Sequence, residues 1–167
     1  MLTRPDPPQR LLRSRSARER LKFSWERFSK ISPELPKLFK LHWKELAVDQ
    51  DTVPLDPDWE FYRTAEARGV LFILTARAQM TGKLAGYCFN MVGPHAHYNS
   101  TRFAHTEMFY LHPHFRKGWQ PVNMLKENLK GLKVLGAEVA TINFKLSFES
   151  ARVGKLLARL EIGRAHV

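Results

Sequence analysis

Residues 116–120, Arg116-Lys117-Gly118-Trp119-Gln120, place two cations and a glycine just ahead of Pro121. They lie between a run that reads as a strand end and one that reads as a helix start. A helix N-terminus exposes N–H groups with no intrahelical partner and carries roughly half a positive charge. A glycine lets a bound group approach the backbone, and Arg116 and Lys117 add formal charge. Pro121 suits the first helical turn, where its missing N–H is not needed. The turn therefore reads as an anion site for a phosphate or pyrophosphate, with a basic surface turn as the plainer alternative.

Other chemistry-bearing residues give weaker patterns. His95, His97, His105, His112 and His114 lie close in sequence, but the two pairs are spaced i, i+2 with no Asp or Cys beside them. No metal is expected there. They read as ordinary loop and strand-end histidines, with a polar rim on the substrate side as the alternative. Cys88 is the sole cysteine and sits in an apolar run, so it reads as an inert buried thiol. A disulfide framework and a cysteine-rich zinc site are both excluded.

The elements that position the turn follow from periodicity. Residues 21–31 read as a first strand with Phe23, Trp25 and Ile31 facing inward. A helix follows, capped by Ser32, with Pro33 in its first turn and a stripe of Leu35, Leu38, Phe39, His42, Trp43 and Leu46. A proline-containing loop leads to a second short helix, capped by Asp58 and stopped by Gly69. Residues 70–79, 84–93 and 101–112 are apolar or alternating strands, joined by the turn MTGK and a loop over 94–100. After the basic turn, residues 121–135 form a helix with Val122, Leu125, Leu129 and Leu132 inside, and Gly136 ends it. Residues 137–146 alternate as a strand, and Ser147 caps a last helix through Leu160. The sum is an α+β domain of mostly antiparallel strands with one late crossover, which must be right-handed.

Bulk composition bounds the partners. The chain has 167 residues, 44% hydrophobic, and a formal net charge of +11. That balance favours nucleic acid, a membrane surface or a phosphorylated ligand. Residues 1–20 hold six arginines against Asp6 and Glu19 and read as a disordered basic tail. No apolar run has the length of a membrane span, and no secretory leader is evident, so a cytoplasmic setting is expected.

With this element order, the run FYLHPHFRKG resembles the fourth strand and exit of the GNAT superfamily of N-acetyltransferases. Phe109, Leu111, Pro113 and Arg116 match that family's pattern identically or conservatively. Trp119 stands where the family loop has its central glycine and Pro121 where it has its last Gly or Ala, so Gly118 is the glycine left to serve. The resemblance covers residues 21–160. It implies a mixed, mostly antiparallel sheet flanked by helices, with a V-shaped splay between the fourth and fifth strands. It further implies that acetyl-CoA rests its pyrophosphate on backbone N–H groups of 116–120. The pantetheine arm would then lie along the backbone of Phe109, Tyr110 and Leu111. Glu107 falls where several family members keep a catalytic glutamate, and an apolar strand is expected to raise its pKa toward that of a base. The family's acidic tyrosine has its slot at Leu157, which leaves Tyr110 or water to protonate the departing thiolate.

The implied activity is acetyl transfer from acetyl-CoA to a primary amine of unnamed identity. The alternatives are a non-catalytic acyl-CoA-binding relative and a small basic nucleic-acid-binding protein. Residues 162–167 back-translate to the start of a common short-read sequencing adapter, and Glu161 is compatible with it. Residues 161–167 are therefore expected to be a non-native tail on a C-terminally truncated domain whose last strands are missing. Such a chain would expose a strand edge and be marginally stable.

Overall fold

The computed structural model of the protein describes residues 19–47 and 50–142. The arginine-rich tail, the last predicted helix and the proposed non-native tail lie outside those residues, save for the join at 19–20.

Five strands form one sheet in the order β1 (Leu21–Glu26), β2 (Leu71–Ala78), β3 (Leu84–His95), β4 (Tyr98–Leu111) and β5 (Val139–Ile142). Neighbours β1 to β4 pair antiparallel, and β5 joins β4 in parallel. The α+β expectation, mostly antiparallel with one late crossover, is what the sheet shows. The β2–β3 and β3–β4 connections are tight. Gly82, with φ of 69°, turns the first. The second is a turn of two residues, Ala96 and His97, so the loop expected over 94–100 is mostly strand. A tight turn between two long antiparallel strands extends their ladder into residues whose composition alone suggests coil.

Helices cover both faces. Short α1 (Phe28–Ile31), α2 (Leu35–Leu46) and α3 (Trp59–Ala67) lie on one side. There Phe28, Ile31, Leu35 and Phe39 meet Ile73, Tyr87, Phe89 and Tyr110. On the other side, α4 (Gln120–Val134) sets Met124 against Leu74, Cys88 and Leu111, and Leu132 against Val92 and Ala104. Burial pushes the Cys88 thiol's pKa up, as an inert thiol requires.

Several local expectations are corrected. The first strand stops at Glu26, and Ile31 belongs to α1. The Glu66 carboxylate accepts from the N–H groups of Phe28 and Ser29, so a tertiary contact turns the chain there. Ser32 closes α1 instead of capping α2, whose N-cap is Glu34. Leu46 is 40% exposed and does not complete the α2 stripe. Asp58 does cap α3, accepting from Phe61 N at 2.9 Å. Met124 and Asn128 are fully buried on α4, whereas Leu129 is only half-buried.

A partly buried ion cluster ties β1 and β2 to Glu34 at the start of α2. Arg77 Nε donates to Glu26 at 2.6 Å, and its NH2 donates to Glu34 at 2.8 Å. No described helix is long and apolar enough to cross a membrane.

Candidate functional site

Strand β4 carries an irregularity at Glu107. Phe89 pairs with Met108, but the next residue, Asn90, pairs with Thr106, so Glu107 is an extra residue on the β4 side. Such a bulge bends a strand and re-aims its side chains. Among the described residues, the parallel ladder to β5 runs from Phe103/Val139 to Thr106/Ile142. The β5 continuation, where the expected splay would lie, is outside the described residues.

A fully buried amide cluster pins this point. Asn90 Nδ2 donates to Asn128 Oδ1 at 2.9 Å, and Asn128 Nδ2 returns a bond to Asn90 Oδ1 at 3.1 Å. The Thr106 hydroxyl donates to Asn90 Oδ1 at 2.7 Å. All three residues are 0% exposed. Asn128 lies eight residues into α4, about 12 Å from its start at 1.5 Å per residue. The cluster therefore fixes the bulge at a set distance from the α4 N-terminus.

Glu107 is half exposed, with a side-chain accessibility of 51%. The burial expected of it is absent at the bulge. Its carboxylate lies 3.6 Å from His105 Nε2. The opposite ring nitrogen of His105 is 2.5 Å from the Thr141 hydroxyl. Thr141, His105 and Glu107 thus form a line from β5 to the bulge. Sequence reasoning passed over His105 as one of several histidines. The i, i+2 spacing from Glu107 on a strand was the available signal.

Tyr110 is 2% exposed, and its ring stacks on His42 with centroids 4.7 Å apart. Its hydroxyl has no hydrogen-bond partner among the described residues. Burial and the Glu45 carboxylate push its pKa up, opposed by the Arg116 guanidinium. His42 also meets the Tyr87 hydroxyl at 2.9 Å, which makes it a polar member of the α2 stripe. Phe109 faces the other way, packing into the Cys88–Met124 cluster, and Leu111 joins it there.

At the turn, the sequence-predicted residues separate. Arg116 donates from Nε to the Leu111 carbonyl at 2.6 Å and from NH2 to Glu45 at 2.5 Å, and it lies over the Tyr110 ring. Its charge is tied to β4 and α2. Gln120 accepts from Leu21 N at 3.2 Å and donates to the Glu19 carbonyl at 3.0 Å, so its amide clasps the start of β1. Lys117 is exposed, and Trp119 is 72% exposed. Gly118 has φ of 75°, a conformation that disfavours a side chain. No side chain caps the N-terminus of α4. The turn thus offers backbone N–H groups and an exposed ammonium.

No protein-family model matches the chain, and no curated protein matches it. Solved structures match its fold. A ribosomal-protein-alanine N-acetyltransferase from Brucella melitensis biovar Abortus 2308 is 14% identical, with 88% of this chain and 94% of that one covered at a TM-score of 0.63. A predicted acetyltransferase from Clostridium acetobutylicum, solved with acetyl-CoA, is 11% identical, with 87% and 91% covered at 0.67. A transcriptional regulator from Bacillus halodurans C-125 is 10% identical, with 88% and 95% covered at 0.68. Sheet order, the parallel β4–β5 pair and the placement of α4 are therefore those of the GNAT acetyltransferase fold.

Proposed function

We propose that this chain transfers an acetyl group from acetyl-CoA to a primary amine. The observation that carries the reading is the pairing of a bulged carboxylate, Glu107, with an uncapped helix N-terminus on the same strand–turn–helix unit. The distance between them is held by the buried Asn90–Thr106–Asn128 cluster.

Acetyl transfer needs a neutral amine, so Glu107 takes a proton from the incoming ammonium, directly or through one water. The amine attacks the thioester carbonyl, and the carbon–sulfur bond breaks. A backbone N–H beside the bulge steadies the developing oxyanion. As the thiolate leaves, the nitrogen sheds its second proton to solvent and the thiolate takes one from solvent, which yields the amide and free CoA. His105, braced by Thr141, holds Glu107 in orientation. With Arg116 and Gln120 engaged elsewhere, the pyrophosphate rests on the backbone N–H groups of 117–120 and on Lys117. The positive φ of the Gly118 turn and the uncapped helix support that placement.

Isothermal titration with acetyl-CoA, followed by a thiol-release assay over a panel of amines, tests the reading. Binding with amine-dependent release is expected, and no acetyl-CoA binding would end it. A second reading, nucleic-acid binding, is favoured by the +11 charge and by the regulator that shares the fold. Duplex DNA titrated under the same conditions, with affinity falling steeply as salt rises, would support it instead.

A further inference from the structure

A cleft of about 460 Å³ opens between α2, α3 and β4, beside the bulge. Phe39 and Trp43 of α2, Tyr62 of α3 and Met108 of β4 form its walls, and the loop 53–57 crosses its mouth. Met108 is the residue next to Glu107. Burial pushes the Tyr62 hydroxyl's pKa up, and the Glu107 and Asp58 carboxylates push the same way.

Two properties set this cleft apart. Its walls are aromatic and thioether surface, with Phe39 also stacked on Trp59 at 5.5 Å and edge-on to the Tyr87 ring at 5.4 Å. Those contacts fix the Phe39 wall in place. Its charge is also opposite to that of the chain. The protein carries 27 Lys and Arg against 16 Asp and Glu, yet no lysine or arginine occurs among the described residues lining the cleft, and Asp56 does. A cation gains there from the carboxylates and from aromatic faces, while its apolar body is removed from water. A polyhydroxylated body would lose its water bonds against rings and a thioether that cannot replace them.

We infer that this cleft binds the acceptor and selects a primary amine carried on an apolar, aromatic-sized body over an aminosugar. Naming the occupant an acceptor rests on the acetyl-transfer reading, but occupancy of the cleft does not. Trp43, Tyr62 and Met108 hold the body, and Asp56 and Glu107 draw the ammonium toward the bulge.

Tryptamine and glucosamine, titrated separately against the full chain, test this directly. Tryptamine is expected to bind at least about ten-fold more tightly, the scale of one or two well-buried apolar contacts. Trp43→Ala should weaken tryptamine about five-fold or more and leave acetyl-CoA affinity unchanged. Asp56→Asn, on the exposed loop and no threat to folding, should weaken it several-fold as well. Equal or tighter binding of glucosamine, or no binding of tryptamine, overturns the inference. So does tryptamine affinity that is indifferent to both substitutions. Thiol release is read apart from these titrations. Release with aminosugars alone sinks the inference and spares acetyl transfer. Tryptamine binding without any acetyl-CoA binding does the reverse.

Discussion

Glu107 owes its position to one inserted residue, since the bulge sets it beside Met108 and lets it meet His105 on the same face. If it serves as base, Glu107→Gln should lower kcat about 100-fold, within the usual range for general base catalysis, with KM for acetyl-CoA nearly unchanged. Stopped assays over a range of acetyl-CoA concentrations read both parameters, and an unchanged kcat removes Glu107 from the mechanism. A different carboxylate governs acid stability. Burial works to raise the pKa of Glu26, but bonds from Arg77, Lys30 and Thr75 prevail and hold it at about 2. A carboxylate depressed in the folded state contributes stability above its unfolded pKa and loses it as pH falls toward the folded value. Between about pH 4.5 and pH 2 this group should cost the fold about 3 kcal/mol, and urea melts across that window would show it. Glu26→Gln should flatten the dependence. Arg77→Ala should cost about 3–5 kcal/mol at neutral pH, because it leaves Glu26 buried without its main partner.

At the scale of elements, two close approaches decide the geometry. A Cβ on Gly86 would lie 2.6 Å from the Tyr110 carbonyl, where β3 crosses β4. Gly86→Ala therefore forces backbone apart and should cost about 1–3 kcal/mol, checked by denaturant unfolding. The second is the amide cluster between β3, β4 and α4. Asn128→Ala strips two of the bonds around Asn90 and should cost about 2 kcal/mol through unsatisfied buried groups. Because that cluster also spaces the bulge from the α4 N-terminus, the same variant should raise KM for acetyl-CoA. A purely structural asparagine would leave KM alone in the fraction that remains folded. The strands and the long helices were legible beforehand, since apolar period and turn residues agree along most of the chain. Asn128 was not legible. A polar residue at a core position of a helical stripe declares itself only when its partners from two strands arrive.

For the whole molecule, the proposed donor would bring a polyanion to a chain of formal net charge +11. Acetyl-CoA at a hundred times its Kd should stabilise the fold by about 2.7 kcal/mol, which for a chain of this size raises Tm by roughly 5–10 °C. Differential scanning fluorimetry checks this. The affinity should fall as salt rises, since Lys117 and the helix terminus are exposed to screening. The two faces of the sheet divide the work. The α4 face carries the expected donor site, and the opposite face carries the aromatic cleft.

Sequence alone determined the order of the strands and long helices among the described residues, the turn at Gly118, the buried thiol and the strand that bears Glu107. These depend on local backbone preference and on apolar period, both of which a single chain displays. Only the tertiary structure decided that Arg116 spends its charge on Glu45 and Leu111, that Gln120 clasps β1, that Glu107 is half exposed on a bulge, and that Asn128 closes a buried cluster. Each of those outcomes turns on a partner many residues away, and side-chain pairing across such distances leaves no mark in local sequence.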